Sequence, residues 1–323
     1  MGHKLDASLA ILNGVLGDHL ARSDNALATR MTLVADGRPV ALDARSLARA
    51  FPNASPRIVL LVHGVMTSEQ IWQGGDGADY GARLAADYGF TPLYLRYNSG
   101  RTIADNGAEL SQLLETLVQA FPTPMPIEEL LLLGYSMGGL VLRSACHAAG
   151  MAGHTWLARV QRAIYVGTPH LGAPLERAGR WVTRLLETID DPYTRLIADL
   201  ANLRSDGLKD LGDARLRHED HREESRLAPS RLALSDPRHP VPLLASMRHY
   251  LIAGTLLREP WLGALFGDAL VPVASATDGA CRSPSSMALP PAHVRLIAGL
   301  GHLDLAHSST VYERIKAFCQ DGT

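Results

Sequence analysis

Residues 130–140 have the sequence LLLLGYSMGGL, in which four leucines run directly into Gly134-Tyr135-Ser136-Met137-Gly138. A short continuous apolar run bounded by turn residues is typical of a strand that is buried on both faces of a sheet. A helical pattern follows over residues 140–148. The stretch therefore predicts a buried strand, a sharp turn at Ser136 and a helix.

The turn has the Gly-x-Ser-x-Gly pattern of a nucleophile elbow. In an elbow the serine occupies a strained position between strand and helix, so that its hydroxyl projects into the site. The flanking glycines leave room for the turn and for close packing of the helix on the strand. The alternative is a glycine-rich turn that merely opens a helix, but the preceding strand and the motifs farther along the chain favour the elbow. Ser136 is therefore the candidate nucleophile.

From residue 58 onward, short apolar runs alternate with helical patterns. One such pattern is the amphipathic stripe from Leu110 to Phe121, and another follows Ser308-Ser309, which we expect to cap a C-terminal helix. The alternation predicts an α/β fold in which helices cover both faces of a mostly parallel central sheet. The predicted strands are Ile58–Val62, Pro92–Tyr97, Leu130–Leu133, Ala163–Val166, Tyr250–Ala253 and Val294–Ala298.

Two segments fall outside this alternation. Residues 1–50 predict a helix over Leu5–Leu20 and a hairpin with its turn at Asp36-Gly37, both packing on the main domain, which we assign to residues 51–323. Residues 173–247 lack a strand pattern, and an insertion of this length predicts a helical cap. Its apolar stripes end near residue 205, and the charged stretch over residues 206–240 is expected to be solvated and mobile.

The composition limits the classes of protein to which the chain can belong. With 31 basic and 33 acidic residues among 323, the chain has no basic field for nucleic acid. Its apolar runs fall far short of the roughly 18 to 20 residues that cross a bilayer, and no signal peptide is recognisable. The three cysteines, Cys146, Cys281 and Cys319, favour a cytoplasmic location, although a Cys281–Cys319 bridge stays open. Since no CxxC or HExxH spacing occurs, we predict neither a metal nor a cofactor.

A nucleophilic serine needs an acid that orients its base. Asp268, in the stretch GDALVP, follows the strand Tyr250–Ala253 and is the preferred acid. Asp278 is a rival that lies farther from the strand in a glycine-rich loop, where a solvated turn residue is the simpler interpretation. Asp304 is a second rival, and we expect it to cap the segment that follows it instead.

The base should be a histidine downstream of the acid. His302, in the stretch GLGHLDL, follows the last predicted strand, and Gly299 and Gly301 allow its loop to turn into the site. His307 is the rival and lies close to the start of the last helix. We therefore predict that His302 is the general base.

Acyl transfer also needs donors for a developing oxyanion, usually two backbone N–H groups. The residue after the serine, Met137, supplies one. The other is expected from the loop after the first buried strand, where His63-Gly64 precede Val65. A His-Gly pair can also be a simple turn, and we expect His63 to act as a structural hydrogen-bonding residue beneath this loop.

The chain resembles serine esterases and triacylglycerol lipases of the α/β-hydrolase fold, in particular the bacterial lipase-like and GPI-inositol-deacylase-like branch. The similarity covers about residues 55–175 and 248–320. It rests on LVHGVMTSEQIW (residues 61–72), LGYSMGGL (133–140), VGTPHLGAP (166–174), GDALVP (267–272) and GLGHLDL (299–305).

The resemblance implies the triad Ser136, Asp268 and His302, with the backbone N–H groups of Val65 and Met137 as the oxyanion hole. It also places Thr168 and His170 beside the site, in a supporting or a packing role. Tyr135 departs from many relatives, which have histidine there. The calcium ligands of some secreted relatives have no counterpart in this sequence.

These observations predict a carboxylic ester hydrolase that acts through an acyl-enzyme on short- to medium-chain or lipid-like esters. A thioesterase, acyltransferase or amidase could use the same triad. An alternative outside enzymology is that the chain is a catalytically idle α/β-hydrolase scaffold that serves as a binding module.

Overall fold

A computed structural model of the protein describes residues 2–73, 79–121, 126–173, 205–220, 241–256, 267–277 and 289–321. This part of the chain forms one eight-stranded sheet with the strand order β2-β1-β4-β3-β5-β6-β7-β8. The strands are β1 (Thr32–Ala35), β2 (Arg38–Val40), β3 (Arg57–Val62), β4 (Thr91–Arg96), β5 (Glu129–Tyr135), β6 (Val160–Val166), β7 (Arg248–Thr255) and β8 (Val294–Ala298).

Neighbouring strands from β4 to β8 in this order run parallel, and only β1 pairs antiparallel, with β2 and β4. The α-helices of the described residues are α1 (Gly2–Arg22), α2 (Ala44–Ala50), α3 (Tyr80–Tyr88), α4 (Ile103–Ala120), α5 (Met137–Ala152), α6 (Asp206–Asp213), α7 (Val273–Thr277) and α8 (Ser309–Gln320). Short 3-10 helices span Glu69–Trp72, Thr155–Arg159, Pro291–His293 and Leu303–Ala306.

Two apolar cores lie on opposite faces of the sheet because successive strand side chains alternate in direction. In β3, Leu60 belongs to one core and Leu61 to the other. The first core also holds residues of α1, α4 and α5, whereas the second includes residues of α3 and α8. All seven positions of β5 are buried, which explains its run of four leucines over residues 130–133.

The predicted fold class, an α/β-hydrolase fold with a mostly parallel sheet and helices on both faces, is confirmed. The six predicted strands are β3 to β8, with ends that differ from the prediction by up to three residues. The hairpin turn is at Asp36-Gly37, where both residues have positive φ, and β1 joins the main sheet through β4. The first helix extends over Gly2–Arg22 instead of Leu5–Leu20.

Two predictions on local structure were wrong. Within the stretch expected to be mobile, residues 206–213 form α6, because Ser205 caps the helix and Leu208 and Leu211 are buried one turn apart. The C-terminal helix begins at Ser309, but the hydroxyl of Ser308 makes no capping hydrogen bond. Most of the predicted cap, including its stripes over residues 181–203 and the stretch 221–240, lies outside the described residues.

Two further observations concern the cysteines and the membrane. Cys319 is a buried free thiol, and burial raises its pKa to about 11; its possible partner Cys281 lies outside the described residues. None of the helices in the described ranges is long and apolar enough to span a bilayer.

Candidate active site

The turn between β5 and α5 places Ser136 at the carboxyl edge of the sheet. Ser136 has φ 54° and ψ −126°, a backbone conformation that a residue with a side chain rarely adopts. Its N–H donates to the carbonyl oxygen of Val166 in β6 at 2.8 Å, which anchors the turn to the neighbouring strand. The strained turn predicted from Gly-x-Ser-x-Gly is therefore present.

Gly138 lets α5 start close to β3. A Cβ atom at this position would overlap the carbonyl oxygens of Val62 and His63. The absence of a side chain thus brings the amino end of α5 against the end of β3. This approach places the serine turn next to the loop that follows β3.

The structure brings Ser136, His302 and Asp268 together in one hydrogen-bonded row. His302 Nε2 lies 2.9 Å from Ser136 Oγ, and His302 Nδ1 lies 2.7 Å from Asp268 Oδ2. A carboxylate only accepts hydrogen bonds, so Nδ1 carries the proton and the lone pair of Nε2 accepts the hydrogen bond of the serine hydroxyl. The three side chains come from the loops after β5, β7 and β8 and are buried.

A tight turn holds the carboxylate of Asp268. Its Oδ1 accepts from the N–H groups of Leu270 at 3.1 Å and Val271 at 2.8 Å, and Ala269 between them has φ 85°. The backbone N–H of His302 donates to the carbonyl oxygen of Asp268 at 3.0 Å. These donors stabilise the buried negative charge of Asp268. They bind Oδ1, whereas Oδ2 faces the imidazole of His302.

Tyr135 supports the histidine loop from below. Its hydroxyl donates to the carbonyl oxygen of His302 at 3.0 Å, and the two ring centroids are 5.1 Å apart. Burial, the largest cause, raises the pKa of Tyr135 well above its usual value. The phenol therefore keeps its proton and acts as a donor. Tyr135 therefore contacts the predicted base.

The loop after β3 lies directly against the nucleophile. The Cβ position of Gly64 is only 2.9 Å from Ser136 Cβ. The carbonyl oxygen of Gly64 accepts from His63 Nδ1 at 2.8 Å and from Thr67 Oγ1 at 3.0 Å. Because a trans peptide directs its C=O and N–H to opposite sides, these two donors turn the N–H of Val65 away from themselves.

His63 is a neutral donor beneath this loop. Its burial lowers its pKa to about 4, and its ring stacks on Tyr97 with centroids 4.4 Å apart. The Tyr97 hydroxyl donates to the His63 carbonyl oxygen at 2.9 Å. His63 thus has hydrogen bonds of the structural kind that the sequence predicts, within its own loop and to Tyr97.

The second predicted donor, the N–H of Met137, belongs to the first residue of α5. The first N–H groups of a helix have no acceptor within the helix, and the helix dipole adds partial positive charge there. The amino end of a 16-residue helix therefore meets the turn that carries Ser136.

Thr168 and His170 follow β6 at the same edge of the sheet. Thr168 packs its hydroxyl against Gly139 in α5. His170 accepts from Arg143 Nη1 through Nδ1 at 3.1 Å, and burial, with the nearby Arg143 charge, holds its pKa well below the usual value. Neither side chain belongs to the row of Ser136, His302 and Asp268.

The rival residues take other positions. Asp304 lies in the 3-10 turn Leu303–Ala306, and its Oδ2 accepts from the N–H of Gly301, which precedes that turn, at 3.2 Å. His307 closes the same 3-10 turn, with its N–H donating to the carbonyl oxygen of Asp304. Asp278 lies outside the described residues.

The sequence alone did not point to the residues that hold the loop of residues 64–67 after β3, the predicted oxyanion loop, from the β4 side. Ser99 Oγ accepts from the N–H of Met66 at 3.0 Å, and Met66 has φ 57°. The available signal was the polar run Asn98-Ser99-Gly100 at the end of a buried strand.

Within the described ranges, no three His, Cys, Asp or Glu side chains are grouped to hold a metal ion.

Comparisons with known proteins give one match to a family model and several likenesses to solved structures. The model described as "Domain of unknown function (DUF7379)" matches residues 32–209, which is more than half of the chain. The curated proteins contain no match to this sequence.

Three of the similar solved structures span most of the chain. Lipase BlEst2 of Bacillus licheniformis in its mature form is 19% identical, with a TM-score of 0.46, and the match covers 82% of this chain and 92% of that one. Carboxylesterase CesB (YbfK) of Bacillus subtilis is 15% identical, with a TM-score of 0.45 and coverages of 84% and 85%. Esterase Pf2001 of Pyrococcus furiosus is 14% identical, with a TM-score of 0.46 and coverages of 83% and 82%. At such identities no residue role is transferred.

Proposed function

We propose that this chain, which belongs to the family described as a domain of unknown function, DUF7379, is a serine hydrolase of carboxylic esters. The proposal rests on the geometry of the site. The observation that carries the proposal is the row Ser136 Oγ, His302 Nε2, His302 Nδ1 and Asp268 Oδ2, joined at 2.9 Å and 2.7 Å. A neutral imidazole in this tautomer is a general base, and a serine hydroxyl needs such a base to act as a nucleophile.

In the first half of the reaction Ser136 Oγ forms a bond to the ester carbonyl carbon while its proton passes to His302 Nε2. The carbonyl electron pair moves to the oxygen, and the resulting anion is bound by the N–H groups of Val65 and Met137. Collapse of this intermediate breaks the bond to the alcohol oxygen, which takes the proton from Nε2. The acyl group is then an ester of Ser136.

In the second half water attacks the acyl-enzyme while His302 takes a proton from it. Collapse of the second intermediate releases the carboxylic acid, and the serine oxygen recovers its proton from His302. Asp268 keeps its negative charge throughout and stabilises the imidazolium that forms twice in each cycle. The site is buried, so hydrogen bonds to the oxyanion act in a medium that screens them weakly.

The proposed substrates are esters of short- to medium-chain or lipid-like acids. The alternatives within the same chemistry are thioesters, amides and transfer of the acyl group to an acceptor other than water. A panel of p-nitrophenyl esters from acetate to laurate, with an acyl thioester and an anilide of the best acid, separates these classes by their kcat/KM. An acyl acceptor added to the best ester reveals transfer as a new product.

The proposal is tested by Ser136→Ala. We expect this variant to lose turnover of the best ester by about 10⁴-fold or more, because it removes the hydroxyl that forms the acyl-enzyme in the proposed mechanism. Ser111→Ala is the matched control: Ser111 Oγ also pairs with a histidine, His154 Nδ1 at 2.8 Å, but on α4 outside the site. Turnover retained by Ser136→Ala, or lost equally in both variants, would contradict the assignment.

A further inference from the structure

The helix α1 packs against the oxyanion loop through a glycine. A Cβ atom on Gly14 would overlap Cγ of Met66 and lie 2.9 Å from its Cα. Met66 is buried and has φ 57°, so its backbone is in a conformation that its surroundings must maintain. Contact between helix and loop at this point therefore bears on the shape of the loop.

The same part of α1 contacts the loop after β4, which binds Met66 from the other side. Asn98 Nδ2 donates to the carbonyl oxygen of Gly17 at 2.8 Å, and Gly100 lies so close to α1 that a Cβ there would overlap the Asn13 carbonyl oxygen. Next to them, Ser99 Oγ accepts the N–H of Met66 at 3.0 Å. Both supports of Met66 thus depend on the position of α1.

The helix cannot easily shift relative to this loop because α6 is bonded to both of them. Ser205 Oγ donates to the carbonyl oxygen of Gly14 at 2.6 Å, and Arg22 Nη1 pairs with Asp206 Oδ2 at 2.9 Å. The N–H of Gly207 also donates to the Gly100 carbonyl oxygen at 2.9 Å. Any bulk added between α1 and Met66 must therefore be absorbed largely by the loop.

We propose that α1 holds the oxyanion loop in its catalytic shape and that Gly14 is a positioning residue for ester hydrolysis. This inference rests on the proposed function. Gly14 touches no reacting atom; it acts through Met66, whose neighbour Val65 supplies an oxyanion donor. A rotation of the Gly64–Val65 peptide weakens binding of the transition state more than binding of the ground-state ester.

The test is Gly14→Ala, assayed for kcat and KM on the best ester of the panel. We expect kcat to fall about 10- to 100-fold, because displacement of one oxyanion donor lowers kcat by about this factor. KM should change less than about threefold. Gly150→Ala is the matched control, since Gly150 lies in the helix α5 with no atom within 4 Å of its Cβ position. It should keep the wild-type kcat.

Two readouts separate positioning from a loss of folded protein. Rates are divided by the number of active sites that a fluorophosphonate titrates, so that unfolded molecules do not count. The affinity of a trifluoromethyl ketone, which forms a tetrahedral oxyanion on the serine, should fall in proportion to kcat/KM. If the ketone binds as tightly as to wild type while kcat falls, the proposed route through the oxyanion loop is wrong.

Relief of the overlap provides a rescue. Met66→Gly removes the Cβ and Cγ atoms that the added methyl group of Gly14→Ala would overlap. A glycine at this position also adopts a positive φ without strain. The double variant Gly14→Ala/Met66→Gly should lose less activity than the product of the two single losses, whereas strictly multiplicative losses would contradict the contact.

Should Gly14→Ala fail to fold, Ser99→Ala tests the same support by removing the acceptor of the Met66 N–H. It should lower kcat about tenfold per titrated site, with KM within about threefold of wild type. Wild-type kcat in each folded variant would overturn this inference alone. A wild-type protein without hydrolase activity would overturn the proposed function, and this inference with it.

Discussion

At the scale of single residues, the carboxylate of Asp268 is bound by two backbone N–H groups on one oxygen and by His302 on the other. Asp268→Asn keeps the shape but offers an amide that favours the other tautomer of His302. Because this tautomer leaves Nε2 unable to accept the serine proton, we expect kcat to fall about 10⁴-fold. The unfolding temperature should be nearly unchanged. The measurement is kcat on the best ester, with circular dichroism to confirm the fold.

Asp304→Asn is the control for this change, because Asp304 lies two residues from His302 but its carboxylate accepts from the N–H of Gly301 in the loop. It should keep kcat within about threefold of wild type, as expected for a turn residue outside the reacting atoms. An equal loss in both variants would contradict the role of Asp268.

Gly167 offers a second prediction at this scale. It has φ 61°, and a Cβ atom there would lie 3.2 Å from Cε1 of His302. Gly167→Ala should therefore push the imidazole and lower kcat about tenfold or more, because small displacements of a base cost large factors in rate.

Gly153→Ala is matched in backbone conformation, with φ 67°, but has open space at its Cβ position. Both variants should lose about 1 kcal/mol or more of stability from the left-handed backbone. Only Gly167→Ala should lose kcat per titrated site. Equal kcat values in the two variants would show that the contact with His302 has no catalytic consequence.

The three residues of the row could be predicted from the sequence because each follows an apolar strand pattern, and strand ends meet at one edge of a parallel sheet. The supports of the row could not. The positive φ of Met66 and the overlap at Gly14 arise from packing between segments about fifty residues apart, which no local pattern encodes.

At the scale of elements, a buried ion network joins the amino ends of three strands. Glu129 in β5 accepts from Arg57 Nε in β3 at 2.7 Å and from Arg162 Nη1 in β6 at 2.8 Å. Glu129→Gln leaves the buried Arg162 and the half-buried Arg57 without this counter-charge and should cost about 3 kcal/mol of unfolding free energy. Since the network lies at the end of the sheet opposite to Ser136, kcat per titrated site should not change.

Glu313→Gln removes the carboxylate of the exposed pair with Arg83, at 3.5 Å, and serves as the control in urea denaturation. Its effect should stay within about 0.5 kcal/mol. A difference of less than 1 kcal/mol between the two variants would contradict the structural role of the network.

The strands were more predictable than the helices that cover them. A continuous apolar run has one simple interpretation in an α/β sequence, whereas α6 rests on only two buried leucines within a charged stretch. Its stability comes from packing against α1 and the loop after β4, including the hydrogen bonds of Ser205 and Gly207. Such tertiary stabilisation is absent from the local pattern.

At the scale of the whole molecule, three buried histidines make stability depend on pH. Burial lowers the pKa of His63 and of His249 to about 4 and that of His170 well below its usual value. Because the unfolded chain binds protons near pH 6.5 and the folded chain does not, stability is full above about pH 6.5 and falls as the pH decreases toward 4.

For His63 and His249 together the expected loss of unfolding free energy between pH 7 and pH 5 is about 4 kcal/mol. Urea denaturation at the two pH values measures the total loss, to which His170 adds. His249→Gln should reduce the difference by about 2 kcal/mol, since the glutamine does not titrate. A pH difference that is unchanged in this variant would exclude His249 as a source of the effect.

The central claim is that Ser136 is a nucleophile activated by His302, and covalent labelling tests it most directly. The protein is incubated with a fluorophosphonate, and the adduct is counted by intact mass and located by peptide mapping. We predict one adduct per chain, on Ser136, together with loss of labelling in His302→Ala. A folded protein that stays unlabelled, or that is labelled at another serine, would contradict the claim.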